Sequence, residues 1–116
     1  MSIDLVWVHE LESHKIIKPK ILDLIEKYEQ VGVCPDPVTK TDFYDDTRPN
    51  QNPNYFPILE QSAESLWKEI CNKYWVKDFT ITGCWFQQYI NNSWHGWHLH
   101  GNASISMSYL LELPER

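Results

Sequence analysis

The stretch SWHGWHLHG, residues 93–101, carries the side chains best suited to chemistry. Three of the five histidines, His95, His98 and His100, fall within six positions, with Trp94 and Trp97 beside them. In an extended segment residues i and i+2 share a face. His98 and His100 would then present two imidazoles side by side, a spacing that supplies two ligands to one ion. Neutral imidazole suits Fe, Zn, Ni and Cu. His95, offset by three, would face elsewhere on a regular strand. The competing reading is an aromatic core, in which one histidine packs against Trp94 or Trp97 and the others meet solvent or hydrogen-bonding partners. The two simplest metal patterns are not completed. There is no HExxH segment, and no cysteine lies near enough in sequence to form a local zinc knuckle.

The other reactive residues are three cysteines, Cys34, Cys71 and Cys84. They are odd in number, widely spaced and without a CxxC, so neither a disulfide framework nor a zinc ribbon is supported. They read as reduced thiols, at least two of them buried. Charge narrows the partners. Acidic residues outnumber basic ones 16 to 10, for a net charge of −6. Nucleic-acid affinity rests on Lys and Arg neutralising phosphates, so no nucleic-acid partner is expected. No basic run marks an anionic membrane surface. No apolar run reaches the roughly 20 residues that span a bilayer, so no membrane association is expected. The start, MSIDLVWVHE, lacks the charged and apolar regions of a signal peptide, and a cytoplasmic location is the expectation.

The elements that must position the histidines follow from periodicity. Ile3, Leu5 and Trp7 alternate with Asp4, Val6 and Val8, as in a strand. Pro19 suits a first helical turn. Ile21, Leu24, Ile25 and Tyr28 then recur at helical spacing, predicting a helix over 18–30 closed by Gly32. Residues 33–57 hold five of the seven prolines and show no period. A loop this long is uncommon in a domain of 116 residues and is often functional. Its aromatics, Phe43, Tyr44, Tyr55 and Phe56, predict that it packs down. A second helix is predicted over 57–74, with Ile58, Ser62, Leu66, Ile70 and Tyr74 in one stripe and Ala63, Trp67 and Cys71 widening it. From Val76 the period becomes two. Phe79, Ile81, Trp85 and Tyr89 share one face; Thr80, Thr82, Cys84, Phe86 and Ile90 share the other, with Gly83 at a bulge or break. Asn91-Asn92-Ser93 signals a turn. In the last segment Ile105, Met107, Tyr109 and Leu111 face one way, while Ser104, Ser106 and Ser108 line a cavity or a solvent-facing surface. Helices leading a β-rich end define an α+β class in one domain spanning 1–116.

Residues 85–111, WFQQYINNSWHGWHLHGNASISMSYLL, resemble the central block of the 2-oxoglutarate/Fe(II)-dependent oxygenases, with most likeness to a branch found in marine bacteria and phages. Trp85, His98-Leu99-His100, Asn102, Ser106 and Tyr109-Leu110 follow the order of that branch. Tyr89, His95 and His98 also fit the wider prolyl-hydroxylase-like pattern, and Thr41-Asp42-Phe43 is similar to a triplet of the same branch. The resemblance implies a double-stranded β-helix, or jelly roll, with two N-terminal helices packed on it. It implies Fe(II) and 2-oxoglutarate as cofactors. Oxidative decarboxylation of 2-oxoglutarate would then yield an oxidant that hydroxylates a small molecule or a protein side chain. Carried over residue by residue, His98 matches the first iron ligand, His100 takes the place of the usual carboxylate, and Tyr89 lines the cosubstrate pocket.

Two departures qualify that expectation. HxH replaces HxD, which makes the site more positive, although the same branch often carries HxH. No histidine follows His100, so the distal ligand and the basic residue that grips 2-oxoglutarate are missing, and His9 or His14 would substitute only through the fold. The chain is thus expected to represent the N-terminal part of such a jelly roll without its C-terminal strands. Uncovered sheet edges favour strand exchange between copies, hence a homo-oligomer. The alternative is a non-catalytic binding or assembly module, metal-free or with a structural metal. A cupin-like site is weaker still, because the next Glu after His100 is Glu112.

Overall fold

The first helix exists because isoleucine recurs every fourth residue. Ile17, Ile21 and Ile25 stack along one side of α1 (His14–Lys27) and are all buried. Each such side chain contributes about 1.5–3 kcal/mol on leaving water. In the computed structural model, which describes residues 6–32, 34, 36–47, 52–90, 92–96 and 104–113, these isoleucines form the core with Tyr55 and Phe86. Leu24, Tyr28, Leu59, Cys84 and Leu111 pack around it.

The start of α1 lies earlier than its periodicity implies. Ser13 precedes the helix, and its carbonyl accepts the N–H groups of Ile16 and Ile17 at 2.9 and 3.0 Å. Pro19 therefore sits inside the helix and not in its first turn. Having no N–H, it leaves the Lys15 carbonyl without its usual partner four residues on. Two more helices follow, α2 (Phe56–Ser62) and α3 (Glu64–Tyr74). The expected single helix over 57–74 is thus broken at Ala63 (φ −110°, ψ 25°), which is fully buried. The break falls where the Ser62 carbonyl accepts the Ser13 hydroxyl at 3.0 Å, a contact that joins the entry of α1 to the end of α2. The Trp67 indole N–H spans the same break, donating to the Glu60 carbonyl at 2.9 Å. The last turn of α3 closes on Trp75, a left-handed residue at φ 54°.

The long proline-rich loop packs down through Tyr55 and Phe56 while Phe43 and Tyr44 stay exposed, and it carries the only strand pairing among the described residues. Its β1 (Lys40–Thr41) pairs antiparallel with β2 (Gln87–Gln88), Lys40 opposite Gln88 and Thr41 opposite Gln87. This two-stranded ribbon overturns the expected jelly roll. Residues 76–86 and 104–113 form no strand, nor do residues 6–10, while Met1 to Leu5 lie outside the described residues. The alternation of residues 79–82 survives as burial, with Phe79 and Ile81 half-buried and Thr80 and Thr82 exposed. Alternation marks a half-buried extended segment. A ladder also needs a neighbour whose N–H and C=O groups are in register, and the described residues provide one only for β2.

What fixes the ribbon is a buried polar node rather than a sheet. Thr41 donates its hydroxyl to the Phe86 carbonyl at 2.7 Å. Asp42 accepts the Phe86 N–H on Oδ1 at 2.8 Å and the Tyr55 hydroxyl on Oδ2 at 3.0 Å. Gln30 reads both backbone groups of Thr41, accepting its N–H at 2.8 Å and donating to its carbonyl at 2.7 Å. Lys40 donates to the carbonyls of Ile25 and Glu26 at the end of α1, where a cation also complements the helix dipole. Gly32 allows the chain to turn from α1 into this loop. It sits at φ +77°, and a Cβ there would lie 3.3 Å from Cβ of Tyr44. Gly32→Ala is therefore expected to destabilise the fold by about 1–2 kcal/mol, the left-handed penalty of a side-chain-bearing residue. A urea titration checks this, through a lower midpoint at unchanged slope. No helix among the described residues is long and apolar enough to cross a membrane.

Candidate functional site

The entry to the histidine stretch is held by a crossing of two loops. Residues 36–39 run beside residues 88–96 just beyond the ribbon. Thr39 donates its N–H to the Gln88 carbonyl at 3.0 Å, and its hydroxyl accepts the Ile90 N–H at 3.1 Å. The Thr39 and Ser93 hydroxyls lie 3.1 Å apart. Ser93 closes the predicted turn by donating its N–H to the Ile90 carbonyl at 2.9 Å. Asn92 takes the left-handed conformation in that turn (φ 63°), a geometry Asn tolerates better than most side chains. The Trp94 N–H then donates to the Pro37 carbonyl at 3.2 Å.

Asp36 completes the crossing. Its Oδ2 accepts the Gly96 N–H at 3.0 Å and lies 2.9 Å from Nδ1 of His95. Both side chains are about three-quarters buried, at 25% and 22% exposure. A Cβ on Gly96 would sit 3.7 Å from the Asp36 carboxylate and 3.8 Å from the Trp94 ring, so the backbone passes close to both groups. Tyr44 and Tyr89 border this region. Burial pushes the hydroxyl pKa of each above its ordinary value, and electrostatic interaction with the nearby Cys34 and Asp36 adds to the rise. These two tyrosines therefore remain neutral hydrogen-bonding groups at physiological pH. Tyr89 is about half exposed and donates its hydroxyl to Oε1 of Gln87 at 2.7 Å.

Of the three residues singled out for the cofactors, the structure places Tyr89 alone, at the rim of this crossing. His98 and His100 lie outside the described residues. Among the described residues no three His, Cys, Asp or Glu side chains form a group able to hold a metal ion. His9 and His14 do not approach the crossing through their recorded contacts. Nδ1 of His9 pairs with Glu69 on α3, and Nδ1 of His14 meets the Tyr109 hydroxyl. The Asp36–His95 contact was not anticipated from sequence. Its one signal is Pro35-Asp36-Pro37, a carboxylate between two residues of fixed φ, in a loop otherwise read only as aperiodic.

A concavity lies away from the histidines. An open groove of about 730 Å³ runs between α2, α3 and residues 77–81, with Trp67, Cys71, Phe79 and Ile81 on its walls. The rings of Trp67 and Phe79 meet there at 5.6 Å.

No family model matches the chain, and neither a curated protein nor a solved structure matches it.

Proposed function

We propose that this chain carries the iron-binding segment of a 2-oxoglutarate- and Fe(II)-dependent oxygenase acting on a small molecule or a protein side chain. The order of Trp85, Tyr89, His98, His100, Asn102, Ser106 and Tyr109 in the sequence is the observation that carries this reading. His98 and His100 are the proposed iron ligands, and Tyr89 the proposed cosubstrate-facing residue. The donor chemistry is compatible with the metal, since imidazole serves Fe(II) in facial sites of two histidines and a carboxylate. The described residues add one imidazole–carboxylate contact, His95 with Asp36, at the mouth of the same segment. When bound, the iron and 2-oxoglutarate would supply the oxidant for hydroxylation of a C–H bond. The residues of the chain would bind and orient them. Tyr89, kept neutral by its surroundings, would donate to a carboxylate of the cosubstrate by turning its hydroxyl away from Oε1 of Gln87. A homo-oligomer in the cytoplasm remains part of the proposal.

A second reading is a non-catalytic binding or assembly module. The open groove walled by Trp67, Cys71, Phe79 and Ile81 is the observation that supports it. Anaerobic Fe(II) titration with and without 2-oxoglutarate separates the two. The oxygenase reading expects a weak visible charge-transfer band that requires both additions and disappears in His98→Ala. A chain that retains no metal and gives no band overturns the oxygenase reading.

A further inference from the structure

We infer that the crossing of the two loops carries a site for a quaternary ammonium group, formed by the Asp36 carboxylate and the exposed rings of Trp94, Tyr44 and Tyr89. The inference is independent of the iron chemistry proposed above. Trp94 is more than half exposed, and Tyr44 and Tyr89 are exposed as well, although tryptophan is highly buried on average. Trp94 and Asp36 meet at Gly96. A Cβ there would lie 3.7 Å from the carboxylate and 3.8 Å from the Trp94 ring, so a small group seated over Gly96 meets an anion and a π-system together. Tyr44 and Tyr89 lie within electrostatic reach of the same carboxylate. Phe43 meets Tyr44 edge-on at 4.9 Å and Trp85 at 4.8 Å, which backs the patch with further aromatic surface.

Charge selects the ligand. The recorded partners of Asp36 are the Gly96 N–H and the His95 ring, and no Lys or Arg among the described residues pairs with it. Lys40, the nearest base along the loop, is committed to the carbonyls of Ile25 and Glu26. A negative group flanked by exposed indole and phenol rings fits an organic cation, which the ring quadrupoles attract in addition to the carboxylate. Because Oδ2 already accepts the Gly96 N–H, the carboxylate offers charge more than open acceptor positions. A quaternary ammonium has no N–H to satisfy and loses little there. A primary ammonium or a guanidinium would give up hydration of donors that the site does not replace.

The test titrates the isotope-labelled full chain with choline chloride at constant ionic strength, at about pH 8, where an unperturbed imidazole is uncharged. The Trp94 indole and Gly96 amide resonances are read. The control ligand is the neutral isostere of choline, in which a tert-butyl group replaces the trimethylammonium. The expected result is a saturable shift with a dissociation constant on the order of 1 mM, as a few weak contacts supply, and little response to the isostere. Asp36→Asn keeps an oxygen for the Gly96 N–H and is expected to bind roughly fivefold or more weakly, the attraction of unit charges about 4 Å apart in water. Trp94→Leu is expected to bind roughly 2–5-fold more weakly, the loss of one exposed cation–π contact. Gly96→Ala adds a methyl that makes only ordinary contacts but occupies the seat, and it too should bind more weakly. Thr39→Val loosens the crossing without touching the site and should respond as the wild type does. A peptide bearing trimethyllysine is run beside choline. Tighter binding of the peptide places the cation on a partner protein, and equal or weaker binding places it on a small molecule; either carries the inference. Equal shifts with choline and its isostere would mean a merely apolar patch and overturn the inference, as would a wild type without a saturable response. Equal losses in Asp36→Asn and Thr39→Val would reduce Asp36 to a structural latch and overturn its charge role.

Discussion

Asp42→Ala is expected to destabilise the protein by about 3–5 kcal/mol, because it orphans two buried donors at once. The Phe86 N–H and the Tyr55 hydroxyl both end on the Asp42 carboxylate, and Asp42 is 1% exposed. Each buried donor left unsatisfied costs about 1–3 kcal/mol. No rearranged solvent can reach this position without opening the packing of Phe86. A natural domain has only about 5–15 kcal/mol in hand, so the variant would be close to unfolding at room temperature. Asp42→Asn should lose less. Its carbonyl oxygen can still accept the Phe86 N–H, and the Tyr55 hydroxyl can rotate to accept from the new amide. Guanidinium titrations of the three proteins give the ranking wild type, Asn, Ala. An alanine variant as stable as the wild type would mean that the node does not form.

Phe86→Ala is the second large effect, expected at about 3–5 kcal/mol for an aromatic-to-alanine change in a packed core. The ring meets Tyr28 edge-on at 5.5 Å and Tyr55 at 6.1 Å. It also fills the space against the isoleucine face of α1. Its removal would take the Phe86 ring contact from both tyrosines, so the near-ultraviolet dichroism should fall along with the melting temperature. Because Asp42 holds the backbone of Phe86, the two substitutions share one structure and should not add. The double variant is expected to lose less than the sum of the two single losses. Strict additivity in a double-mutant cycle would show that the node and the ring stabilise different parts of the chain.

The first helix was legible in the sequence from Ile21, Leu24, Ile25 and Tyr28 at helical spacing, and Ile21 and Ile25 are buried as that spacing requires, while the buried Ile17 lay before the predicted start. The limits of the helices were not. The start of α1 depends on Ser13, which reaches across to Ser62, and the split at Ala63 arises at the same contact. Neither interaction has a local signature. The β-rich end was misread for a physical reason. Val76 to Ile90 has the composition and alternation of strands, but composition reports only a preference for extended, half-buried backbone. Pairing is decided by partners far along the chain. Lys40 and Thr41, the residues that do pair, lie in a loop with no period at all. Of the candidate site, Tyr89 was proposed from the family-like order of residues, whereas the Asp36–His95 contact had no such signal, because a loop carboxylate gains meaning only from what the fold sets against it.

The link between Thr41 and Phe86 spans 45 residues of chain, and it has a consequence for the order in which the structure can assemble. The apolar side of α1 finds Tyr55, Phe86 and Leu111 as its cover, and two of these three come from the last third of the sequence. During synthesis, at about 5–20 residues per second, α1 emerges many seconds before its cover exists. Closing so long a loop also comes before any reward from the contacts it makes. The nascent chain must therefore carry an open isoleucine stripe until Phe86 and Leu111 have emerged, so α1 depends on segments made well after it to become part of a core.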